Sequence, residues 1–564
     1  MKIRRIAGLA AAITAGALVL SACGAADAPA DQNQADETTN GAEAPDTTDR
    51  EIDPNAIIRV RGGEPARPLV PSNTMETNGG NVIDQIFSML VSFDAEGTPR
   101  NEVAESIETE DNQHWTITIQ DGWTFSDGTP VHAHNFVQAW DQAALLSNGH
   151  LASFLFESIE GFSVEEDSLL SENGGLEIVD DLTFKVNLSG RDADFGIRIG
   201  HSAFAPLPDV AFNEDGSLID NLGTSPETTI GNGPYVLDEW INDQVIRLSV
   251  REGYDSVRNP QNGGLEFIAF TTMDAAYTAL RGGDLDVIDS IPAANIETFM
   301  TELDGRGSSA PSAVWQGFTI PSYLDHFGPG EEGNLRRQAI SMAFDRQEIV
   351  DALFGGTNTP AVDFTAPVIP GFTTELEGQE VLQFNPELAA ERWAQADAIR
   401  PFEGTFELAY NADGGHGEWV EAVTNQIRNT LGIEAQGRSV PTFAVFREEI
   451  LAREINAAFR TGWQGMYPSV GYYLSPVFRT GAGSNDGDYS NPEFDALLDE
   501  ALAAPTPEET LDRFHRAQEI LLQDLPQIPL WNGMARGGWG ENVGQVQFAW
   551  NTVPVFHQIV GFAS

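Results

Sequence analysis

The chain has 564 residues, of which 85 are acidic and 30 are basic, so its formal net charge is −55. Nucleic-acid binding depends on cationic contacts to phosphates, so a surface this acidic excludes it as the main function. The same charge excludes attachment to anionic lipid headgroups through a basic patch. One cysteine cannot form a disulfide within the chain, and the length predicts two or three domains.

The first 22 residues have the layout of a secretory signal. Lys2, Arg4 and Arg5 precede an apolar stretch at 6–20, and small residues then lead to Cys23. A stretch of this length with these flanks is typical of a signal peptide rather than of a membrane-spanning helix. We predict cleavage before Cys23 and attachment of lipid to its sulfur, which would anchor the protein outside the cytoplasm on the cell membrane. The alternative is a plain signal peptide with a cysteine at this place by chance.

Residues 23–55 are predicted to be a disordered acidic tether. The segment has no aromatic residue and almost no branched aliphatic residue. It therefore cannot bury enough apolar surface to offset the entropy that ordering would cost.

The globular body is predicted to begin at residue 56 and to alternate strands with helices. Residue alternation and short apolar runs predict strands at 57–60, 115–119, 123–125, 182–188, 245–250, 265–270 and 284–288. Helical spacing predicts helices at 131–146, 274–281, 335–353, 386–396, 418–431 and 507–522. The sequence Ser-Asp-Gly-Thr-Pro at 126–130 predicts a tight turn, with Gly128 at positive φ. This alternation favours an α/β fold with several sheets.

Motifs of catalysis are absent from the sequence. It has no GxSxG, no HExxH, no phosphate-binding loop with lysine and no CxxC pair. His132 and His134 would share one face of a strand, but no third metal ligand accompanies them, so we interpret them as surface histidines. We therefore predict a non-enzymatic protein without a cofactor or a metal, and a lipid-anchored hydrolase is the alternative.

Aromatic residues cluster late in the chain. Trp463, Tyr467, Tyr472 and Tyr473 lie in a stretch rich in glycine and proline. Ligand pockets favour aromatic walls with a few polar groups, which makes this stretch a candidate site. Local packing is an equally good explanation of these residues alone.

Short blocks between residues 81 and 532 resemble one protein family, in the family's order. They include an apolar segment with a proline that ends in VAES (82–106) and a strand, turn and helix block around SDGTP (115–137). The others are GNGPY (231–235), GDLDV (283–287), RQAISMAFDRQEIV (337–350), TLGI (430–433), NPEFDALLDEA (491–501) and PQIPL (526–530). Together they resemble the extracellular solute-binding proteins of family 5, the oligopeptide, dipeptide and nickel group of ABC importers.

The resemblance implies an α/β fold of the type II periplasmic-binding-protein kind, with two lobes on a hinge and an extra subdomain in lobe I. The implied order is lobe I at 56–80, the subdomain at 81–204, lobe I again at 205–306, lobe II at 307–532 and a return to lobe I at 533–564.

The resemblance also implies a ligand site in the segment RTGWQGMYPS at 460–469. Trp463 and Tyr467 would line the cleft, and Arg460 would meet a peptide carboxylate in a bidentate pair. Met466 stands where peptide-binding relatives have the aspartate that pairs with the α-amino group, so either another acid such as Asp488 replaces it or the ligand is different. Phe154 resembles an aromatic segment that lines the cleft.

The implied function is capture of di- or oligopeptides by hinge closure and delivery to a membrane permease. A separate ATPase of the importer would supply the energy, because this chain has no nucleotide site. We expect a monomer that contacts the ligand, the permease and, through its lipid, the membrane, and that binds no nucleic acid. The alternative within the same fold is another solute, such as an oligosaccharide, a metal chelate or a modified peptide.

Overall fold

Strands and helices alternate along the chain, which confirms the predicted α/β class. The computed structural model describes residues 50–270, 272–412, 415–441 and 443–563, all within one compact unit. The predicted signal at 1–22, the lipid site Cys23 and the predicted tether up to residue 49 lie outside the described residues.

The helices of the described residues are α1 (Thr77–Ile86), α2 (Ala133–Ala144), α3 (Phe195–Arg198), α4 (Met273–Gly282), α5 (Phe299–Glu302), α6 (Glu331–Met342), α7 (Arg346–Phe354), α8 (Pro386–Ile399), α9 (Gly417–Leu431), α10 (Phe443–Leu451), α11 (Val470–Phe478), α12 (Pro492–Leu502) and α13 (Pro507–Asp524). The strands are β1 (Ile52–Asp53), β2 (Ile57–Gly62), β3 (Val91–Phe93), β4 (Pro99–Asn101), β5 (Ala104–Thr109), β6 (His114–Ile119), β7 (Leu176–Ile178), β8 (Thr183–Asn187), β9 (Tyr235–Ile241), β10 (Val245–Val250), β11 (Gly264–Ala269), β12 (Val287–Ile288), β13 (Gly307–Thr319), β14 (Thr359–Pro360), β15 (Thr405–Asn411), β16 (Glu434–Val440), β17 (Ala458–Gln464), β18 (Gln527–Trp539), β19 (Val543–Gly544) and β20 (Val560–Phe562).

A mixed sheet of 11 strands runs through the molecule in the order β16-β15-β17-β13-β18-β12-β2-β11-β10-β9, with β14 paired to β18 off this path. Helix α9 connects the parallel neighbours β15 and β16. Helix α4 connects β11 to β12, and both of these strands pair in parallel with β2. Parallel strands need such crossovers, which is why helical and strand patterns alternate in the sequence.

The long strands β13 and β18 join the two ends of this sheet, and their register shifts between Pro311 and Trp315. Ala313 lies within that interval, where the regular ladder is interrupted. Its backbone N–H donates to the carbonyl of Trp550 at 3.1 Å, and its carbonyl accepts from the N–H of Gly465 at 2.9 Å. Backbone groups from two other segments therefore satisfy the interrupted ladder.

The buried apolar side chains form two main cores. The first core is built mainly from residues between 58 and 287 and is joined by Val543, Phe556 and Ile559 from the end of the chain. The second core is built from residues between 313 and 550. This division supports the two predicted lobes, whose residue boundaries stay predictions.

A separate antiparallel sheet, in the order β5-β6-β8-β7, lies within the predicted subdomain at 81–204. Helix α2 covers it, with the ring of Phe136 stacked on Phe184 at 5.8 Å and the ring of Trp140 edge-on to Phe184 at 5.5 Å. The alternation of side chains along β8 turns Phe184 toward α2. The rings of Phe136 and Trp140 pack against it, and all three rings are buried.

The block GNGPY requires its two glycines for close backbone approach. A Cβ on Gly231 would lie 2.1 Å from the carbonyl oxygen of Ile86, and one on Gly233 would lie 2.6 Å from the carbonyl carbon of Ile86. Between them, the amide of Asn232 pairs with both backbone groups of Ser88, at 2.9 Å each. This segment therefore fixes the C-terminal end of α1 against the start of β9.

Two element predictions are wrong in detail. The predicted helix 335–353 is two helices, because the side chain of Asp345 accepts from the N–H groups of Gln347 and Glu348 and starts α7 anew. The predicted strand at 123–125 is a single bridge between Thr124 and Pro130, because the turn brings the chain back at once. The turn itself is confirmed, with Gly128 at a φ of 86°.

The end of the predicted tether is also corrected. Ile52 and Asp53, inside the predicted tether 23–55, form strand β1 and pair antiparallel with Phe562 and Gly561. The ordered body therefore begins by residue 52, because two backbone pairs to the chain's end order this polar segment. In the part of the chain described, no helix is both long and apolar enough to cross a membrane.

Gly231→Ala is expected to destabilise the fold by about 2–3 kcal/mol or more, because the added methyl group meets the Ile86 carbonyl and the backbone must shift. Urea unfolding of the chain from residue 24 would measure this change. Gly80→Ala is the control, since a Cβ there meets no atom within 4 Å, and alanine favours helix α1. Equal urea midpoints for Gly231→Ala and Gly80→Ala would contradict the close approach of Gly231 to the Ile86 carbonyl.

Candidate functional site

The segment that follows β17 connects the two cores. Trp463 lies opposite Trp315 of β13, is half-buried, and packs against both the first and the second core. Its indole N–H donates to the carbonyl of Tyr472 at 3.0 Å, which fixes the ring. Trp463 therefore lies where the two halves of the molecule meet.

The three tyrosines of the predicted aromatic site are buried. Tyr467 and Tyr472 belong to the first core and are 5% and 3% exposed, and Tyr473 belongs to the second core and is 1% exposed. The hydroxyl of Tyr473 donates to the carbonyl of Ala313 at 2.5 Å. Burial raises the pKa of all three hydroxyl groups. The three tyrosine rings therefore hold the segment after β17 in place. Of the four aromatic residues, Trp463 is the most accessible.

A cavity of about 260 Å³ opens beside this segment. Its walls come from α1 and β3 with their flanks, from residues 200–202, from residues 464–466 and from residues 549–557. Of the predicted ligand-binding residues, Met466 lines this cavity. Trp463, Arg460, Tyr467 and Phe154 do not line it.

Met466 is held by a histidine. Burial lowers the pKa of His201 to about 4, so the imidazole is neutral at pH 7. Its Nδ1 accepts from the backbone N–H of Ala203 at 3.0 Å, so its proton must be on Nε2. That nitrogen lies 3.2 Å from the sulfur of Met466 and donates to it. The position where the resemblance implies an aspartate is thus occupied by a neutral, oriented pair.

Arg460 and Phe154 lie apart from this cavity. Arg460 is on β17, and its Nε donates to the side chain of Asn411 at 2.8 Å while its guanidinium lies 5.5 Å from the ring centre of Phe446. Phe154 is half-buried in a 3-10 turn, Ser153–Phe156, and packs against the first core. Their predicted contacts with a ligand stay predictions.

Asp488, the predicted substitute acid, is already paired. Arg453 donates to both of its carboxylate oxygens, at 2.8 and 2.9 Å. It lies beside a smaller cavity of about 110 Å³, whose walls come from the second half of the chain, and not beside Met466. A bidentate ion pair leaves this carboxylate a poor partner for an amino group.

The two predicted surface histidines lie before and inside helix α2. Their ring centres are 5.8 Å apart, and Nε2 of His134 is 2.7 Å from a carboxylate oxygen of Asp209. Among the described residues, no group of three or more histidine, cysteine or acidic side chains could hold a metal ion.

A family profile described as "Bacterial extracellular solute-binding proteins, family 5 Middle" matches residues 98–485. The chain belongs to this family. It is 25% identical over 542 residues to the periplasmic oligopeptide-binding protein OppA of Salmonella typhimurium, which covers 93% of this chain and 92% of that protein.

Two solved structures have the same fold. The murein tripeptide-binding protein MppA of Escherichia coli superposes with a TM-score of 0.74 at 21% identity, covering 90% of this chain and 98% of MppA. OppA of Haemophilus influenzae in complex with RPPGFSPFR gives a TM-score of 0.73 at 22% identity, covering 91% and 100%. The predicted type II periplasmic-binding-protein fold is thereby confirmed.

One wall of the cavity was missed from the sequence. That wall is α1 with its flanks, where Asp84 stands in the apolar run VIDQIF at 82–87. A charged residue within such a run is the signal that could have found it, because helix positions that face a core are seldom ionisable.

Two contacts tie the second half of this family member to its first half, one from the segment after β17 and one from the end of α12. The hydroxyl of Ser469 donates to the carboxylate of Asp194, and the backbone N–H of Ala193 donates to the carbonyl of Leu502 at 3.0 Å. Asp194 is buried, and its burial and the nearby Asp192 raise its pKa to about 6, against the opposing effects of Ser469 and Arg198. Its ionised form is therefore disfavoured in the folded state.

Asp194→Asn is expected to stabilise the protein at pH 7.5 by an amount on the order of 1–3 kcal/mol. A carboxyl group whose folded pKa is raised to about 6 destabilises the fold fully above that pH, and its effect fades as pH falls toward the unfolded value of 3.8. Urea unfolding at pH 4 and pH 7.5 should thus show a gain that is small at pH 4.

Ser469→Ala is the matched control for this prediction. It removes the hydrogen bond to Asp194 but leaves the charge, so it should lower stability at both pH values. A loss of stability in Asp194→Asn at pH 7.5 would show instead that the ionised carboxylate is favourable in the fold.

Proposed function

We propose that this chain is the substrate-binding component of an ABC importer, which captures di- or oligopeptides and delivers them to a membrane permease. Membership of the solute-binding family and the similarity to the oligopeptide-binding protein OppA support the solute class. The observation that carries the proposal is the cavity between α1, residues 464–466 and residues 549–557, at the junction of the two cores.

Capture would proceed by hinge closure. The register shift between β13 and β18 is the place where the two halves share the least regular ladder, so we propose the hinge there. Met466 and Ser469 contact His201 and Asp194 across the two halves. A ligand that adds contacts between both halves would shift the open–closed equilibrium toward the closed form, which would dock on the permease.

We propose Trp463 and Met466 as the core of the ligand site, because Trp463 packs between the cores and Met466 lines the cavity. Arg460 is proposed to receive the ligand's carboxylate, since a guanidinium binds a carboxylate through two parallel hydrogen bonds. Tyr467 and Phe154 complete the proposed set. Arg460, Tyr467 and Phe154 do not line the cavity, so the cleft would have to open for the ligand to reach them.

The proposed location is outside the cytoplasm, with the mature chain anchored to the cell membrane through lipid on Cys23. Residues 1–22 provide the signal and residues 23 to about 50 the spacer. The proposed partners are the ligand, the permease and, through the permease, a separate ATPase, and the protein is proposed to act as a monomer. Proteins of this family are binding proteins, and we propose no catalytic activity for this one.

A second solute class has one observation in its favour. Met466 with neutral His201 offers no charge to the α-amino group of a peptide at the position where relatives have an aspartate. An oligosaccharide, a metal chelate or a modified peptide would not need that charge.

Peptides are expected to stabilise the chain from residue 24 in a thermal-shift screen that also contains oligosaccharides and metal chelates. A ligand at one hundred times its dissociation constant adds about 2.7 kcal/mol to the folded state. Shifts with peptides alone would support the proposed function. Thermal shifts with another class of solute, and none with peptides, would show that the protein binds that class instead.

Trp463→Ala is expected to weaken binding of the bound peptides by about 1–3 kcal/mol, because aromatic anchors between two surfaces contribute most to affinity. Calorimetric titration would measure this loss. Trp240→Ala is the matched control, since Trp240 is also half-buried and makes one indole hydrogen bond, to Glu64 at 3.2 Å, but lies on β9 at the end of the sheet. The same loss in both variants would remove Trp463 from the site.

A further inference from the structure

The cavity beside Met466 contains several ionisable side chains, and their partners differ. Glu76 accepts from the backbone N–H groups of Asn78 at 2.7 Å and Gly79 at 2.9 Å, so it caps helix α1. The carboxylate of Asp94 is paired with Arg100 at 2.7 Å. Both acids are thus occupied by the protein itself.

The arginine of the cavity is also occupied. The guanidinium of Arg258 donates to the buried carboxylate of Glu102 at 2.7 Å, to the carbonyl of Phe87 at 2.8 Å and to the hydroxyl of Ser88 at 2.9 Å. It donates as well to the backbone carbonyl of Asp84. Its charge is compensated by Glu102, and its donors are directed at groups other than the Asp84 carboxylate.

Asp84 is the exception among the cavity's charges. Its carboxylate has no hydrogen-bond or ion-pair partner within the residues that the structure describes, although Asp84 lies in the cavity wall and is half-buried. Burial and the charge of Glu102 raise its pKa to about 6, against the attraction of Arg258. His201 and His557 supply no countercharge, because burial lowers the pKa of each to about 4.

An unpaired carboxylate facing a cavity has a clear chemical preference. Arg258, in the cavity wall, attracts this anion but directs its hydrogen bonds to other groups, and a carboxylate without a hydrogen-bonded cation is stabilised by an ammonium group at hydrogen-bond distance. The net charge of −55 over the whole chain would also attract cationic ligands to the cleft.

We infer that Asp84 is the anionic subsite that receives a ligand's ammonium group, in place of the aspartate that is missing at Met466. The inference rests on the proposed function, in which the ligand is a peptide with a free amino terminus. The ammonium group lies in the cavity between α1 and residues 464–466, so the anchor comes from the first half of the chain and not from the segment after β17.

The test compares wild type, Asp84→Asn and Asp121→Asn, each from residue 24, by native mass spectrometry. The probes are an equimolar pool of free tripeptides and the same pool acetylated at the amino terminus. Wild type is expected to bind free peptides at least tenfold more tightly than acetylated ones. Asp84→Asn is expected to lose that tenfold preference and to bind acetylated peptides as wild type does.

Asp121→Asn removes the same charge from an exposed turn outside the cavity and should behave as wild type. Asp84→Asn should also keep or raise the melting temperature at pH 8, since it removes a partly buried charge that has no hydrogen-bond partner. In wild type, affinity for free peptides should fall by up to tenfold per pH unit below about 6, where the bare carboxylate is protonated. Asp84→Asn should lack this dependence, and His201 and His557 stay neutral down to about pH 5.

Two results would overturn the inference, and they are distinguishable from failure of the proposed function. If wild type and Asp84→Asn bind free peptides equally, or if wild type does not distinguish the two pools, peptide capture stands and Asp84 is not the anchor. If wild type binds neither pool, the peptide function itself fails, and the inference fails with it.

Discussion

The pairing of β13 with β18 is the constraint on which the two-lobed arrangement depends. These strands are 13 residues each. Trp539 at the end of β18 packs against the first core, and Trp315 and Ile528 lie in the second, so the strand pair joins the halves by covalent chain and by hydrogen bonds. A continuous ladder would make that junction stiff. The shift near Ala313 replaces ladder bonds with bonds to Trp550 and Gly465, which belong to segments that also line the cavity. Bending at the proposed hinge would therefore change the shape of the cavity.

The sequence predicted short elements better than these long strands. Residues 307–319 read GSSAPSAVWQGFT, with small polar residues, a proline and no clear alternation, and residues 527–539 are equally irregular. Their strand structure comes from pairing with partners more than 200 residues away, such as Gly307 with Gly538, which no local window contains. The opposite error occurred at Asp345, where continuous helical spacing hid a residue that caps a new helix.

The candidate site was predicted in part for the same reason. Residue types and family blocks located the segment 460–469, but they could not say which core each side chain would enter. Tyr467 and Tyr472 cross into the first core although their neighbours in sequence belong to the second. Asp84 was missed although it interrupts the apolar run 82–87, because no local pattern shows which partners such an acid will have. Its significance comes from Arg258, whose donors are directed to Glu102 and to backbone carbonyls.

The pair of His201 and Met466 differs in charge from the pair that an acid at position 466 would form. An ionised carboxylate beside the buried imidazole would favour a protonated histidine and raise its pKa. Protonation of Nδ1 would remove the acceptor that the Ala203 N–H requires at the start of the following turn. A thioether accepts the Nε2–H without changing that proton distribution.

The charge of Asp84 also affects the proposed closure of the two lobes. Asp84 without a partner makes the cavity unfavourable when it is dry, so the empty protein gains by keeping this carboxylate hydrated, which an open cleft allows. A ligand cation would remove that disadvantage only when the walls from α1 and from residues 464–466 are together. The free energy of closure would then depend on the ligand's charge, so that the anchor which selects the ligand would also be the switch that closes the lobes.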